Sequence, residues 1–176
     1  PWAGLPTEER LERARRVIRF KSAKYTIEHP LLIGASAGGA GADDLTALSR
    51  YGLDIGHAFP LRDYLLGVFG DPEVTGKPAG DDLSEGKRTV LIALALDGLS
   101  PSDREHLDTS LGKPLTPEEV GELRRLIDAS GAHDQLEQVI VALTERALAA
   151  LDAAAIRDEA RTALRQLAAA ATQRTV

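Results

Sequence analysis

Apolar residues recur every three or four positions along most of this chain, which is the spacing of one buried helix face. The clearest example is the long segment from Asp43 to about Phe69, where leucine, isoleucine and phenylalanine return at that interval. No segment shows the alternation of apolar and polar residues that is typical of strands, and no hairpin dipeptide separates two apolar runs. The pattern therefore predicts an all-α fold.

Proline and glycine mark where the helices of the C-terminal part begin and end. Ser100 and Thr116 each precede a proline, which is typical of a cap residue followed by the first helical position. Glu119 lies three residues after Thr116, so these two residues can form a capping box. Gly131 is expected to separate two further helices, and the last helix is expected at about 154–172. These signals predict four shorter helices in the C-terminal part.

The composition limits the class of protein. The 176 residues are enough for one domain with a buried core, so residues 1–176 are expected to form a single domain. They carry 21 basic and 27 acidic side chains, and this net charge of −6 argues against a nucleic-acid partner. No apolar run approaches the roughly 18 residues needed to span a bilayer. Because cysteine is absent, disulfides and thiolate metal sites are excluded, and a cytoplasmic protein is the expectation.

An apolar helix carrying one carboxylate leads into a long glycine-rich segment. Asp63 lies on the helix, and the segment 70–86 is predicted to be a loop without secondary structure, a kind of loop that is usually functional or disordered. Lys77 lies within this loop and Lys87 directly after it. Magnesium is usually held by one or two carboxylates plus phosphate oxygens, and lysines neutralise phosphate charge. The stretch therefore fits a magnesium–diphosphate site.

Each of these residues also has a purely structural interpretation. Lys77 and Lys87 fit an ordinary solvated loop, and Asp63 fits an ion pair within or between helices. Asp81 and Asp82 stand side by side in the loop and are expected to be a solvated pair rather than two metal ligands. Residue types and spacing alone leave the choice open.

A second basic cluster lies on the first predicted helix. This helix is expected to begin near Thr7, to run towards Tyr25 and to end before Pro30. It carries Lys21 and Ser22. A lysine beside a hydroxyl group can bind a phosphate. The same residues also fit an exposed pair without a ligand, in which the lysine side chain extends along the protein surface.

Three motifs follow one another along the chain: FKSAKYT, the pattern F-x3-D that continues into LLGVFGDPEVTGK, and DDLSEGKRT. Together they resemble the C-terminal half of a trans-prenyl diphosphate synthase, a polyprenyl synthetase of the bacterial geranylgeranyl diphosphate synthase type. The likeness covers most of residues 14–98 and, more loosely, the helical tail. It implies the isoprenoid synthase helical-bundle fold, of which this chain would form the C-terminal helices.

The resemblance implies a role for five residues. Lys21 and Ser22 match the lysine–hydroxyl pair that binds the allylic diphosphate. Asp63 matches the first aspartate of the second aspartate-rich motif, which binds Mg²⁺, while Lys77 and Lys87 match lysines that contact the diphosphate. Enzymes of this family condense isopentenyl diphosphate with an allylic diphosphate, and magnesium and the cationic side chains stabilise the departing diphosphate.

The chain departs from the family pattern at three positions of the second motif. Pro60 stands where glutamine is usual, Tyr64 replaces the second aspartate, and Gly67 replaces the last one. Nothing in the chain matches the first aspartate-rich motif or the isopentenyl-binding segment, both of which precede Lys21 in the family. Prenyl transfer is therefore expected only when a second chain supplies the N-terminal half, in a heteromer that can be built on a dimer.

Two structural expectations accompany this interpretation. The apolar helix face around Leu61, Leu65 and Val68 is expected to be covered by the partner rather than by this chain. Pro60 is expected to kink or break its helix, because an interior proline removes a backbone hydrogen bond at a cost of ~3 kcal/mol.

Other functions on the same fold remain open. A non-catalytic subunit would bind diphosphate and modulate a competent synthase, as the altered positions 60 and 64 suggest. A terpene cyclase or an unusual prenyltransferase would use the altered motif for a different reaction. Product analysis without isopentenyl diphosphate separates a cyclase from a synthase, since a cyclase needs no second substrate.

Overall fold

Helices account for the regular structure in this computed structural model. The structure describes residues 2–76, 78 and 80–174, and no strand occurs among them. The predicted all-α class is confirmed. Besides a 3-10 turn at Trp2–Gly4 and a π-helical segment at Ile18–Glu28, the helices are α1 (Thr7–Val17), α2 (His29–Ala37), α3 (Ala42–Phe69), α4 (Pro72–Thr75), α5 (Asp81–Ser84), α6 (Val90–Gly98), α7 (Pro101–Ser110), α8 (Pro117–Ala129), α9 (Ala132–Ala153) and α10 (Asp158–Thr172).

The described residues divide into two compact units. The first unit comprises residues 2–15 and 63–137, and the second comprises residues 16–62 and 138–174. Helices α3 and α9 each contribute residues to both units. Each unit has buried side chains of its own.

Helix α6 is the most deeply buried helix of the first unit. It is apolar on almost all sides, which is typical of a helix in the centre of a core. It packs against α7 and α8. The fully buried side chains of these three helices include Leu91, Ile92, Leu96, Leu107, Leu123 and Ile127.

The predicted starts of α7 and α8 are confirmed. The Ser100 hydroxyl accepts a hydrogen bond from the Asp103 amide at 3.2 Å. The Thr116 hydroxyl accepts from the Glu119 amide at 3.3 Å, and the Glu119 carboxylate accepts from the Thr116 amide at 2.7 Å, which completes the capping box. Each cap satisfies amides that would otherwise lack a partner at the start of a helix.

Helices α3, α9 and α10 form the core of the second unit. The Tyr51 hydroxyl donates a hydrogen bond to the Leu164 carbonyl at 2.7 Å. Burial raises the pKa of Tyr51 to about 12, so the phenol stays protonated. The buried cluster around it contains Leu48, Tyr51, Ile55, Ala147, Leu151 and Ala168.

The first helical region is longer than the sequence predicts, and its type changes from α-helix to π-helix and back to α-helix. Helix α1 ends at Val17, the π-helical segment Ile18–Glu28 follows, and α2 continues from His29. The predicted end before Pro30 is wrong, because Pro30 occupies one of the first positions of α2, where proline is tolerated. π-Helices are rare, and they are frequently found at functional sites.

Helix α3 continues from Ala42 to Phe69 with Pro60 inside it. In the turn before the proline, His57 Nδ1 lies 2.6 Å from the Leu53 carbonyl oxygen, a hydrogen bond within the helix. The helix therefore does not break at Pro60, and Asp63 lies on a continuous helix.

The glycine-rich segment contains secondary structure that the sequence does not predict. Asp71 caps the single turn α4 by accepting a hydrogen bond from the Glu73 amide at 2.9 Å, and Gly76 ends it with a φ of +69°. Gly80, also at +69°, precedes the single turn α5, and a Cβ there would overlap the Val120 side chain. Both positive φ values favour glycine. Among the described residues of this segment, two short helical turns therefore replace part of the predicted loop without secondary structure.

The apolar face predicted to need a partner is buried by this chain. Leu61, Leu65 and Val68 are 4 %, 0 % and 2 % exposed, so the expectation of an open face there is wrong. The large apolar side chains that are exposed lie elsewhere: Val17, Phe20, Tyr25, Ile33, Val139, Val141 and Leu167. Within the described part of the chain, none of the helices combines the length and the apolar character required to cross a bilayer.

Candidate functional site

Helix α5 and the turn after it bring Lys87 against two carboxylates. The Lys87 ammonium lies 2.5 Å from Asp82 Oδ1 and 2.7 Å from Glu85 Oε2. Partial burial lowers the pKa of Lys87, but the hydrogen bonds to Asp82 and Glu85 raise it by more, so this pKa lies above its ordinary value. Lys87 therefore keeps its positive charge at neutral pH.

Asp82 is buried, so the expectation of a solvated Asp81–Asp82 pair is wrong for this residue. Helix α3 makes room for it at Gly67. A Cβ at Gly67 would overlap the Asp82 carboxylate and would lie 2.8 Å from the more distant oxygen. The missing side chain and the neighbouring Lys87 together allow a carboxylate to be buried here. Because the positions are 15 residues apart on different helices, no local sequence signal marks this contact.

Three charged side chains, those of Asp63, Asp82 and Lys87, lie near the phenol of Tyr64. Burial raises the pKa of Tyr64, and the charges of Asp82 and Asp63 raise it further, while Lys87 opposes them. The side chains of Asp63, Asp82 and Lys87 are therefore all close enough to act on the Tyr64 phenol. The structure thus brings Asp63 and Lys87, two of the sequence-predicted site residues, to one region of the first unit.

Asp81, Asp82 and Glu85 form a cluster of acidic side chains. Each can place a carboxylate oxygen within 4.8 Å of the others. Lys87 already neutralises part of this charge through Asp82 and Glu85. Two of its three carboxylates, those of Asp82 and Glu85, are thus ion-paired with Lys87.

Arg124 of α8 holds the C-terminal end of α3. Its Nε donates to the Val68 carbonyl at 2.5 Å, and its Nη2 donates to the Gly70 carbonyl at 3.4 Å. The last carbonyl groups of a helix lack partners within the helix. This guanidinium therefore fixes the turn that follows Asp63 and Tyr64.

Arg88, the residue after Lys87, has a structural partner. It forms an ion pair with the buried Asp108 carboxylate, which also accepts a hydrogen bond from the Ala3 amide at 3.0 Å. Its Nη2 donates to the Asp108 carbonyl at 3.4 Å. These bonds anchor the chain between Lys87 and the start of α6.

Lys21 and Ser22 lie in the π-helical segment of the second unit. Lys21 is exposed, Ser22 is half-buried, and the Thr26 hydroxyl donates to the Lys21 carbonyl at 3.0 Å. Across the part of the chain that the structure describes, no carboxylate pairs with the Lys21 ammonium. Ala23 is fully buried against Gly56 of α3, where a Cβ would overlap the Ala23 backbone. This close approach anchors the segment and leaves Lys21 able to meet a ligand.

Lys77, the remaining sequence-predicted site residue, lies outside the described residues.

The profile of the polyprenyl synthetase family matches residues 3–129, which is more than half of the chain. The chain belongs to this family. The match confirms the resemblance inferred from the three sequence motifs.

Two relatives show the extent of the likeness. The geranylfarnesyl diphosphate synthase of Aeropyrum pernix is 35% identical over 131 residues, which are 74% of this chain and 40% of the relative. The geranylgeranyl diphosphate synthase of Mycobacterium tuberculosis is 47% identical over 68 residues, which are 38% of this chain and 19% of the relative.

Solved structures of polyprenyl synthetases confirm the isoprenoid synthase fold. The geranylgeranyl pyrophosphate synthase of Corynebacterium glutamicum, complexed with isoprenyl diphosphate and magnesium, superposes with a TM-score of 0.89 at 50% identity over 94% of this chain. The polyprenyl synthase of Caulobacter crescentus, complexed with calcium and isoprenyl diphosphate, gives 0.82 at 32% identity over 99% of it. The chain covers 47% and 52% of these two proteins, so it spans about half their length.

Proposed function

We propose that this chain is the diphosphate-binding part of a prenyltransferase that condenses isopentenyl diphosphate with an allylic diphosphate. The observation that carries the proposal is the neighbourhood of Asp63, Asp82 and Lys87 around Tyr64. A diphosphate that leaves a carbon atom needs fixed positive charge beside it and carboxylates that can hold a metal ion. Membership of the polyprenyl synthetase family supports the same reaction.

The cationic side chains are proposed to bind the diphosphate groups. Lys87 stays protonated and can exchange its carboxylate partners for phosphate oxygens. Lys21 is exposed and directly precedes Ser22 in the sequence. Lys77 is proposed as a further cation. In the reaction, the bond between the allylic carbon and the diphosphate oxygen breaks. The double bond of isopentenyl diphosphate then forms the new carbon–carbon bond, and a proton leaves.

Asp63 is the proposed ligand of magnesium. The carboxylate is half-buried on a continuous helix, and magnesium usually takes one or two carboxylates while water and phosphate oxygens supply the remaining ligands. This donor set therefore fits the ion. When bound, magnesium would supply positive charge that stabilises the departing diphosphate. Asp63 would fix the position of that charge.

The N-terminal half of the synthase is proposed to come from a second chain. The support is a set of four exposed apolar side chains: Val17, Phe20, Tyr25 and Ile33. These four apolar side chains lie on α1, the π-helical segment and α2, and they offer contact area to added helices. In the completed protein, that half would supply the first aspartate-rich motif and the isopentenyl diphosphate site.

Calorimetric titration with inorganic diphosphate tests the binding site directly. We expect binding that requires magnesium, and Lys87→Gln is expected to weaken it by about 10-fold or more, because a hydrogen bond to a charged group contributes ~1.5–3 kcal/mol. Lys113→Gln, which changes an exposed lysine of the same unit, is the matched control. Equal affinities of the two variants for diphosphate would contradict the assignment of Lys87.

Diphosphate binding without prenyl transfer is the second candidate, and Tyr64 favours it. Burial and the charges of Asp82 and Asp63 raise the pKa of Tyr64, so a neutral phenol stands where the family has a carboxylate. A neutral phenol is a poor ligand for magnesium. Such a chain would bind diphosphate and modulate a competent synthase.

Replacing Tyr64 by aspartate tests whether position 64 faces the proposed metal site. Without magnesium, Tyr64→Asp is expected to lower Tm by ~2–4 °C more than Tyr64→Asn, because the added charge meets Asp63 and Asp82. With magnesium, Tyr64→Asp is expected to gain more thermal stability than the wild type, as a restored metal ligand would. Equal gains in the three proteins would mean that position 64 does not face the metal site.

A further inference from the structure

The buried side chains of the π-helical segment recur at every fifth residue. They are Ile18, Ala23 and Glu28, which are 2 %, 0 % and 6 % exposed. Residues five apart stack on one face of a π-helix, because its hydrogen bonds join each residue to the fifth one along the chain. An α-helix turns by ~100° per residue, so the same side chains would diverge by ~140° at each step. This buried face therefore requires the hydrogen-bond register of a π-helix, called the π register below.

Helix α3 meets this face through two glycines. A Cβ at Gly56 would lie 2.4 Å from Ala23 Cα, and one at Gly52 would lie 3.0 Å from Glu28 Cα. The two glycines are four residues apart and share one face of α3. The two residues that they contact are five apart and share one face only in the π register. Because both contacts involve main-chain atoms, they depend on the backbone of the segment rather than on side-chain rotamers.

Glu28 is the polar member of the buried face, and its carboxylate has partners. The Ser49 hydroxyl of α3 donates to Glu28 Oε1 at 2.6 Å. Lys24 Nζ lies 3.6 Å from Glu28 Oε2, and His29 Nε2 lies 4.0 Å from it. Among the described residues, none donates a hydrogen bond to Oε2. A buried carboxylate is costly unless it is paired, so Ser49 and Lys24 are what keep Glu28 on this face.

An apolar residue competes with Glu28 for the place beside α3. In an α-helix the residue that stacks on Ala23 is Ile27, four positions along, and burying isoleucine is favoured over burying a carboxylate. The hydrogen bond from Ser49 therefore opposes a change to the α-helical register. Pro30 does not explain the whole segment, because a proline disturbs the turn before it, and the π-helical residues begin well before that turn.

We propose that Glu28 is a positioning residue that holds Ile18–Glu28 in the π register, and that this register sets the direction in which Lys21 meets a diphosphate. Lys21 lies within the segment, so a change of register turns its side chain relative to α3. The Thr26 hydroxyl donates to the Lys21 carbonyl at 3.0 Å across the same five-residue spacing. The role of Lys21 rests on the proposed function, whereas the register does not.

Scalar couplings across hydrogen bonds, measured by nuclear magnetic resonance, identify the carbonyl that each amide contacts. In the wild type, the His29 amide donates to the Lys24 carbonyl, five residues before it. Glu28→Ala is expected to move the acceptors in the segment from the fifth to the fourth preceding residue, which for the His29 amide is Tyr25. Glu28→Gln keeps an oxygen for Ser49 and is expected to retain the wild-type couplings.

Three further results decide the register role. Couplings of Glu28→Ala that stay at the fifth residue would overturn it, and so would their loss without new couplings at the fourth, since that result means local unfolding. Pro30→Ala is expected to keep the wild-type couplings, and a change there but not in Glu28→Ala would assign the register to the proline. If Glu28→Ala does not fold, Ser49→Ala removes the donor instead and must show the fourth-residue couplings.

Calorimetric titration with inorganic diphosphate and magnesium tests the positioning of Lys21. Glu28→Ala is expected to weaken binding by ~5-fold or more, because a charge-assisted hydrogen bond depends on its direction. Glu145→Ala, which changes an exposed glutamate of α9 in the same unit, is the control and should stay within ~2-fold of the wild type.

A second background shows whether Glu28 acts through Lys21. In Lys21→Gln, the change Glu28→Ala is expected to have no further effect on diphosphate affinity, because the side chain that it positions is gone. An equal loss in both backgrounds would overturn the positioning role. If the wild type binds no inorganic diphosphate, the proposed function fails and the positioning role fails with it, while the couplings still decide the register.

Discussion

Asp63→Asn is expected to lower prenyl-transfer turnover by ~10²–10³-fold in the enzyme completed by an N-terminal half. Asparagine keeps the size of the side chain and one oxygen but removes the charge that would hold magnesium. A metal ion contributes several kcal/mol of charge stabilisation in the transition state, and each 1.36 kcal/mol corresponds to ~10-fold in rate. Steady-state turnover at saturating magnesium and substrate measures the effect.

Asp43→Asn is the matched control for this experiment. Asp43 is an exposed residue of the same helix, and the substitution removes the same charge at a distance of 20 residues along the chain. Turnover of Asp43→Asn should stay within ~2-fold of the wild type, since screening weakens the effect of distant exposed charges. If Asp63→Asn lost no more activity than Asp43→Asn, Asp63 could not be the magnesium ligand.

Gly56→Ala is expected to lower Tm by ~4–8 °C. A Cβ at Gly56 would overlap backbone atoms of Ala23 in the π-helical segment, so no side-chain rotation can relieve the contact. Overpacking of this kind costs ~1–3 kcal/mol or more, whereas the helix propensity of alanine returns only ~1 kcal/mol. Because the overlap is with backbone atoms, we expect the upper end of this cost, a net loss of ~2 kcal/mol, which corresponds to the stated change in a chain of this length. Thermal unfolding followed by circular dichroism measures it.

Gly121→Ala is the control, and its expected change in Tm has the opposite sign. The Cβ would enter open space on α8, so helix propensity alone is expected to raise Tm. Hydrogen exchange adds a local readout, since Gly56→Ala should lose amide protection in Ile18–Glu28, the segment that carries Lys21 and Ser22. If Gly56→Ala stabilised the chain as Gly121→Ala does, the close approach to Ala23 would be absent in solution.

The features that sequence predicts well here are those encoded within a few residues. The capping box of Thr116 and Glu119 and the cap at Ser100 depend on residues three positions apart, and both are confirmed. The all-α class follows from a periodicity repeated along the chain. The family is predicted from three motifs in order, and the match of the family profile to residues 3–129 confirms it.

Features that depend on contacts between distant segments were predicted wrongly or not at all. Two adjacent aspartates predict that both carboxylates are exposed to solvent. Asp82 is nevertheless buried, because Gly67, 15 residues earlier, leaves space for its side chain. The π-helical segment has an ordinary helical pattern, and its contact with Gly56 involves a residue more than 30 positions away. The sequence shows that the helix face around Leu65 is apolar, but it does not show which segment of the protein covers that face. Tertiary packing decides each of these cases.

The candidate site was predicted in part. Asp63 and Lys87 were named from residue type and resemblance, and they share one neighbourhood in the first unit. The ion pairs of Lys87 with Asp82 and Glu85 were not predicted, because the spacing of these residues fits a solvated loop equally well. The roles of all five predicted site residues stay predictions: Lys21, Ser22, Asp63, Lys77 and Lys87.

Prenyl transfer by the reconstituted protein tests the central claim most directly. The chain would be mixed with the separately produced N-terminal half of the Corynebacterium glutamicum relative, an allylic diphosphate, isopentenyl diphosphate and magnesium. The proposed function predicts a longer isoprenyl diphosphate from the mixture, and none from either half alone or without magnesium. No product from a mixture in which native mass spectrometry detects the complex, or product from this chain alone, would contradict the claim.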